Sequence, residues 1–120
     1  PDAIDDEILE LLKEYNVTAI ELGAQSFNNH VLKMNNRGHN SRDIEVASAL
    51  IKKHGFELGL QIMTGLYADD NESLERTVKK IIEIKPNTVR IYPKCEYWPS
   101  CSCNEAIMAF LSSFFILVCD

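Results

Sequence analysis

Two glutamines hold similar positions in this sequence, each near the end of a short apolar stretch. Gln25 follows Leu22-Gly23-Ala24, and Gln61 lies within residues 56–63. A primary amide is neutral and can both donate and accept hydrogen bonds. That chemistry suits ribose hydroxyls or the edge of an adenine ring better than it suits acid–base catalysis. The alternative interpretation is that each amide caps the backbone of an exposed loop.

One arginine lies close to a histidine in a loop between two helical stretches, Asn35-Asn36-Arg37-Gly38-His39. A guanidinium pairs with a carboxylate or a phosphate through two parallel hydrogen bonds. Arg37 is therefore either an anion clamp or a solvated loop charge. His39 has no carboxylate or second histidine near it at metal-binding spacing, so we interpret it as a hydrogen-bonding loop residue. His30 and His54 are interpreted as surface or helix-end residues.

All four cysteines lie close to the end of the sequence, at positions 95, 101, 103 and 119. Their spacing differs from that of the cysteine pairs in zinc fingers and zinc ribbons, so we predict neither of these sites. Nothing else in the sequence indicates a secreted, disulfide-linked domain. The simplest interpretation is four reduced thiols, and a small metal site in the tail is the alternative.

The composition is that of an ordinary globular domain. The 120 residues are 46% hydrophobic and 25% charged, with a net charge of −6, and they suffice for one domain. The acidic balance does not indicate nucleic-acid binding. No apolar run is long enough to span a membrane, and no secretory signal precedes the chain, so we predict a cytoplasmic protein. Because the sequence begins at Pro1, we expect it to be a piece of a longer protein.

Hydrophobic periodicity predicts that helices and strands alternate along the chain. Predicted helices cover residues 3–15, the stretch from the N-cap Ser41 to His54, and the stretch from Asn71 to Lys85. The helical stripe of the first is Ile4, Ile8, Leu11, Leu12 and Tyr15. Predicted strands cover residues 17–22, 56–63 and 88–92. This alternation indicates an α/β fold with a parallel sheet.

Active residues of parallel α/β folds gather at the carboxyl ends of the strands. This rule selects the ends of the three predicted strands as the place of a site. Ser26, Met63 and Tyr92 lie there beside the two glutamines, and we predict that they line a pocket.

Four segments in the same order resemble motifs of the radical S-adenosylmethionine (SAM) enzymes. Residues 21–27, Glu-Leu-Gly-Ala-Gln-Ser-Phe, are similar to the E-x-G-V-Q-S-F strand end of that family. Residues 36–39 match its N-R-G-H segment, residues 61–66 its x-M-x-G-L-P turn, and residues 89–93 its V-R-I-Y-P strand. The resemblance is strongest to the branch that contains the elongator-complex catalytic subunit and the oxygen-independent coproporphyrinogen oxidases.

The resemblance implies a fold, a cofactor and a reaction. The fold would be a partial (β/α)6 barrel, of which residues 1–94 form the C-terminal half with about three βα units. The reaction would be reductive cleavage of SAM at a 4Fe–4S cluster, which starts radical chemistry through a 5′-deoxyadenosyl radical. In the coproporphyrinogen oxidase pattern, the positions of Gln25, Arg37 and Gln61 contact SAM.

The sequence also departs from the family pattern. It contains neither the cluster-binding C-x3-C-x2-C run nor the Gly-Gly-Glu motif, and Gly65-Leu66-Tyr67-Ala68 replaces Gly-Leu-Pro-Gly, which predicts a remodelled loop. Residues 95–120 form an atypical tail, rich in cysteine and apolar residues, without lysine or arginine. This break in composition indicates translation in a shifted frame, and a replacement helix over residues 106–119 is the alternative.

Three functional hypotheses follow. The first is a fragment of a radical SAM enzyme that is inactive alone, because it has no cluster cysteines and cannot bind the cluster. The second is a non-catalytic α/β module that binds a partner through its open sheet edges and its tail. The third is a small metal-binding protein that uses the tail thiols.

Overall fold

The computed structural model describes residues 1–93, which contain the predicted helices and strands in the predicted order, together with one short helix that was not predicted, α2. The elements are, in order, α1 (Asp6–Glu14), β1 (Ala19–Gln25), α2 (Asn29–Met34), α3 (Ser41–Lys53), β2 (Glu57–Thr64), α4 (Asn71–Ile84) and β3 (Thr88–Pro93). The predictions made for the tail, including its four cysteines and the alternative helix, lie outside the described residues.

The three strands form one parallel sheet in the order β1-β2-β3. Gly23 of β1, Gln61 of β2 and Arg90 of β3 lie side by side in this register. The register shifts between Gly23 and Gln25, where β1 bulges at its carboxyl end. The predicted parallel α/β architecture is thus confirmed for this part of the chain.

The two faces of the sheet differ in chemistry because strand side chains alternate. One face carries Leu58, Leu60 and Ile62 of β2, which are all buried and pack with apolar side chains of the helices. The opposite face carries Glu57, Gly59, Gln61 and Met63. The hydrophobic core therefore lies between the sheet and its helices, and the polar face is left for other contacts.

Helix α1 differs from its predicted stripe. Leu9, which the stripe omits, is fully buried, whereas Ile8, Leu11 and Tyr15 are 38%, 51% and 75% exposed. The helix begins later than predicted, because the Asp5 carboxylate accepts the Ile8 N–H at 2.8 Å and caps it. Ile4 and Leu12 of the predicted stripe pack against the core, but Ile8, Leu11 and Tyr15 do not, since α1 packs on the core through the side that carries Leu9.

Helix α3 is capped by Asn40 and not by Ser41. The Asn40 side chain accepts the Asp43 N–H at 3.1 Å, and the Asp43 carboxylate accepts the Asn40 N–H at 2.8 Å. This reciprocal pair is a capping box, which satisfies two backbone donors at once. Beyond the helix, Gly55 has φ of +84°, a left-handed conformation that glycine adopts without steric penalty.

None of the helices within residues 1–93 is long and apolar enough to cross a membrane.

Candidate functional site

Gln25 ends β1 in a left-handed backbone conformation, with φ of 59°. Its side chain folds back over Gly23, where an added Cβ would lie only 2.8 Å from Gln25 Nε2. The oxygen of the same amide, Oε1, is buried and has no hydrogen-bond partner within the described part of the chain. A buried amide oxygen is normally satisfied by a donor, so this one can accept a hydrogen bond from a ligand.

Gln61 lies beside Gly23 in the sheet register, so the two predicted amides are neighbours at the carboxyl ends of β1 and β2. The Gln61 Nε2 donates a 2.8 Å hydrogen bond to Glu21 Oε2. Glu21 Oε1 in turn lies 3.0 Å from Arg90 Nε. Gln61 is thus one member of a polar cluster on the face of the sheet opposite the core.

Arg37 is brought to the same end of the sheet by the loop between α2 and α3. Its Nη2 lies 3.6 Å from Met63 Sδ, two residues beyond Gln61 on the same face of β2. The loop is held there by His39, whose Nε2 lies 3.2 Å from the carbonyl oxygen of Ala24. The interpretation of His39 as a hydrogen-bonding loop residue is therefore confirmed, and Arg37 remains exposed beside the strand end.

The three predicted pocket-lining residues have different surroundings. Met63 contacts Arg37, and Tyr92 lies next to Met63 in the sheet register with 37% of its surface exposed. Ser26 is buried, and its hydroxyl accepts the Asn28 N–H at 3.1 Å. Ser26 therefore supports the turn after β1, and Met63 and Tyr92 face the open side.

The turn after β1 is anchored by α4. The Phe27 N–H donates a buried 3.1 Å hydrogen bond to the Thr77 hydroxyl. Because Thr77 belongs to the helix after β2, this bond ties the end of β1 to the next βα unit. The backbone that carries Gln25 is thereby held in place by the core of the molecule.

Glu21 is a functional candidate that the sequence interpretation missed. It was noted only as part of a motif, yet its carboxylate contacts both Gln61 and Arg90. The signal was present in the alternation of β1, because Glu21 and Gly23 are two residues apart and share the face on which Gln61 lies. The sequence alone does not show that one carboxylate reaches across the whole sheet.

The loop after β2 carries a carboxyl group with an altered acidity. Burial raises the pKa of the Asp69 carboxyl, and the nearby Ser73 hydroxyl and Asp70 amide offset this effect only in part.

Within residues 1–93, no three side chains of His, Cys, Asp or Glu are grouped so that they could hold a metal ion. The chemistry of the described site is therefore that of amides, a guanidinium and a carboxylate.

A model of the Radical SAM superfamily matches residues 1–81, more than half of the chain. A tRNA uridine(34) acetyltransferase of Methanocaldococcus jannaschii is 31% identical over 96 residues, which are 78% of this chain and 18% of that protein. The heme chaperone HemW of Lactococcus lactis is 31% identical over 93 residues, 77% of this chain and 24% of the relative. The chain thus spans only a minor part of the length of these relatives.

Solved structures with the same architecture confirm the predicted partial (β/α) barrel. The archaeal Elp3 of Methanocaldococcus infernus superposes with a TM-score of 0.71 at 33% identity, over 78% of this chain and 22% of that one. Coproporphyrinogen III oxidase (HemN) of Escherichia coli superposes with a TM-score of 0.72 over 79% of this chain and 22% of that one; at 22% identity it shows the fold alone. The family model, the relatives and the superpositions agree, and this chain belongs to the radical SAM superfamily.

Proposed function

We propose that this chain supplies part of the SAM-binding wall of a radical SAM enzyme, with Gln25, Arg37 and Gln61 as the residues that hold SAM. The observation that carries the proposal is their meeting at one end of the sheet. Gln25 and Gln61 flank Gly23, and Arg37 reaches Met63 on the same side. Radical SAM proteins use SAM together with a 4Fe–4S cluster, so SAM is the small-molecule partner.

The chemistry of the Arg37 and Gln25 side chains suits the groups of SAM. The Arg37 guanidinium is exposed beside a neutral thioether and can pair with the SAM carboxylate through two parallel hydrogen bonds. The buried oxygen of Gln25 has no protein donor in the described residues and can accept a ribose hydroxyl. Each residue thus offers a hydrogen-bonding group that SAM can satisfy.

The described residues lack the ligands of a 4Fe–4S cluster, because residues 1–93 contain no cysteine. The described residues cannot ligate a 4Fe–4S cluster and would act on SAM alone, by binding and orienting it. When SAM is bound and reduced in such enzymes, it supplies the carbon radical that starts the reaction. The four cysteines of residues 95–120 lack the C-x3-C-x2-C spacing of the family. We therefore expect residues 1–120 to bind no cluster and to have no radical activity by themselves.

The substrate is not carried over from the relatives, because their names describe different activities, a tRNA uridine(34) acetyltransferase and a heme chaperone. The region they share with this chain is the barrel, so the proposal concerns the use of SAM and not a particular substrate. The acidic charge of the chain does not indicate nucleic-acid binding, and a cytoplasmic location remains a prediction.

Binding of the stable SAM analogue S-adenosylhomocysteine to the full-length protein that contains this chain tests the proposal by calorimetry. We expect Arg37→Ala and Gln25→Ala to weaken binding about tenfold or more, because each removes a hydrogen bond to the ligand. Arg42→Ala is the matched control, since Arg42 is also exposed but lies on α3.

Two outcomes would overturn the proposal. If the wild-type protein does not bind the analogue, the non-catalytic interaction module becomes the better interpretation. If it binds and Arg37→Ala behaves like Arg42→Ala, the assignment of Arg37 is wrong.

A further inference from the structure

One carboxylate joins all three strands on the polar face of the sheet. Glu21 lies on β1, and its Oε2 accepts the 2.8 Å hydrogen bond from Gln61 on β2. Its Oε1 lies 3.0 Å from Arg90 Nε on β3. Each oxygen of Glu21 therefore meets a donor from a different strand, and the side chain spans the width of the sheet.

This reach depends on a glycine in the middle strand. Gly59 lies between Glu21 and Thr88 in the register. An added Cβ at position 59 would lie 2.8 Å from Glu21 Cγ and 2.9 Å from Thr88 Oγ1. Contacts that short force a neighbour to move, so any larger residue would push Glu21 away from its two partners.

The bond to Glu21 has a consequence for Gln61. A carboxylate has no hydrogen to donate, so the end of the Gln61 amide that faces it must be the nitrogen. The oxygen of the same amide then points away from Glu21. Without Glu21, the amide could turn over and present its nitrogen in the place of its oxygen.

We propose that Glu21 is a positioning residue that makes Gln61 a hydrogen-bond acceptor toward the bound nucleoside. This inference rests on the proposed function, because it assumes that SAM is the ligand of Gln61. The group that Gln61 recognises is then a donor, either a ribose hydroxyl or the exocyclic amino group of adenine. Arg90 takes part by holding the second oxygen of Glu21 in place.

The variant Glu21→Gln tests the proposal with almost no change of shape. The oxygen of the new amide at position 21 accepts from Arg90, which leaves its nitrogen facing the nitrogen of Gln61. Two donors cannot bond to each other, so the Gln61 amide turns over. Its nitrogen, a donor, then faces the donor group of the ligand, and the hydrogen bond to the ligand is lost. We expect S-adenosylhomocysteine to bind about tenfold or more weakly to the full-length protein.

The exchange variant Glu21→Gln/Gln61→Glu separates positioning from a merely structural role. Gln61→Glu alone sets two carboxylates against each other and weakens binding. In the double variant, the nitrogen of the amide at position 21 donates to the carboxylate at position 61, and the net charge is unchanged. The other carboxylate oxygen then accepts from the ligand. We expect affinity to return to within about threefold of the wild type.

Two further variants and a folding measurement complete the test. Glu57→Gln removes the same charge from the same face of the sheet at the opposite end of β2, and we expect it to bind like the wild type. Gly59→Ala displaces the Glu21 side chain without changing its partners Gln61 and Arg90. We expect this variant to bind S-adenosylhomocysteine more weakly than the wild type. Thermal melting of every variant confirms that it is folded.

Ligand analogues identify the donor that Gln61 accepts. The 2′-deoxy and 3′-deoxy forms of S-adenosylhomocysteine each lack one hydroxyl, and S-inosylhomocysteine lacks the amino group. A deoxy analogue that lacks the relevant hydroxyl should bind the wild-type protein and Glu21→Gln with similar affinity, because neither protein can form the bond. If the amino group is the donor, S-inosylhomocysteine should bind Glu21→Gln at least as tightly as the wild type, because it has a carbonyl oxygen there that accepts from the turned Gln61 amide.

The inference and the proposed function fail in different ways. No binding of S-adenosylhomocysteine to the wild-type protein overturns the proposed function and this inference with it. Normal binding by the wild type and by Glu21→Gln overturns the positioning role alone. The same conclusion follows if the double variant binds no better than the weaker single variant, or if Glu21→Gln weakens all three analogues equally.

Discussion

Ala68 has a left-handed backbone conformation, with φ of 63°, at the position where the radical SAM pattern has the final glycine of Gly-Leu-Pro-Gly. The preceding residue is held at two points, because Asn35 donates to the Tyr67 carbonyl at 2.9 Å and accepts the Tyr67 N–H at 3.2 Å. The loop therefore keeps a glycine-like conformation although alanine stands there. A left-handed conformation costs a residue with a Cβ about 1 kcal/mol.

The variant Ala68→Gly should relieve this cost. We expect the free energy of unfolding to rise by about 1 kcal/mol, because glycine adopts positive φ without a steric penalty. Ala49→Gly is the matched control, since Ala49 is exposed in the middle of α3 and the same substitution there should cost about 1 kcal/mol. Urea denaturation of the three proteins measures both changes, and a destabilised Ala68→Gly protein would contradict the interpretation.

Helices α1 and α3 are joined at their ends by a histidine and two carboxylates. His54, the C-cap of α3, is only 10% exposed; its Nε2 lies 2.6 Å from Asp6 and its Nδ1 2.9 Å from Glu10. The hydrogen bond from His54 holds the pKa of Asp6 below its ordinary value of 3.8. The pKa of Glu10 is also lowered, mainly by the Lys13 side chain and then by His54.

The lowered pKa of Asp6 gives stability a definite pH dependence. A carboxyl with a depressed pKa stabilises the fold above its unfolded-state pKa, and this contribution is lost as the pH falls through the folded-state value. We expect wild-type protein to be more stable than Asp6→Asn at pH 6, and the difference to shrink as the pH falls below 3.8, the ordinary pKa of this carboxyl. Urea denaturation at a series of pH values measures it.

Glu7→Gln is the control for the helix dipole, because Glu7 lies in the same first turn of α1. The contacts to His54 come from Asp6 and Glu10. If Glu7→Gln and Asp6→Asn lose the same stability with the same pH profile, the dipole and not His54 explains the effect.

At the scale of the molecule, the helices cover one face of the sheet and leave the other face polar and partly exposed. Glu21 and Arg90 side chains retain 35% and 40% exposure there. Within residues 1–93, β1 and β3 each pair with one neighbour, so both edges of the sheet are open. Open strand edges offer unpaired backbone groups to other chains.

We therefore expect residues 1–93, expressed alone, to be poorly soluble and to self-associate. Sedimentation velocity at several concentrations measures the association, and the full-length protein is the comparison. A monomer that melts cooperatively would contradict this expectation and would show that half of a barrel suffices for a stable fold.

The amino-acid sequence by itself determined the order of the three strands and of helices α1, α3 and α4, and the positions of Gln25, Gln61 and Arg37 near the strand ends. It could do so because helical and strand periodicities, and the turns that end them, depend on residues close together in the chain. The four motifs added the family, which the comparisons confirm. The role of the three residues in SAM binding remains a prediction.

Tertiary structure alone decided which residues meet. Glu21 and Gln61 are 40 residues apart and bond only because the register of β1 and β2 sets them on one face, over a glycine that leaves room. Packing likewise decided which side of α1 is buried. The apolar residues of this helix cover a wider part of its surface than the part that is in contact with the core. The choice of Leu9 over Ile8 therefore depends on long-range contacts, which local sequence patterns do not encode.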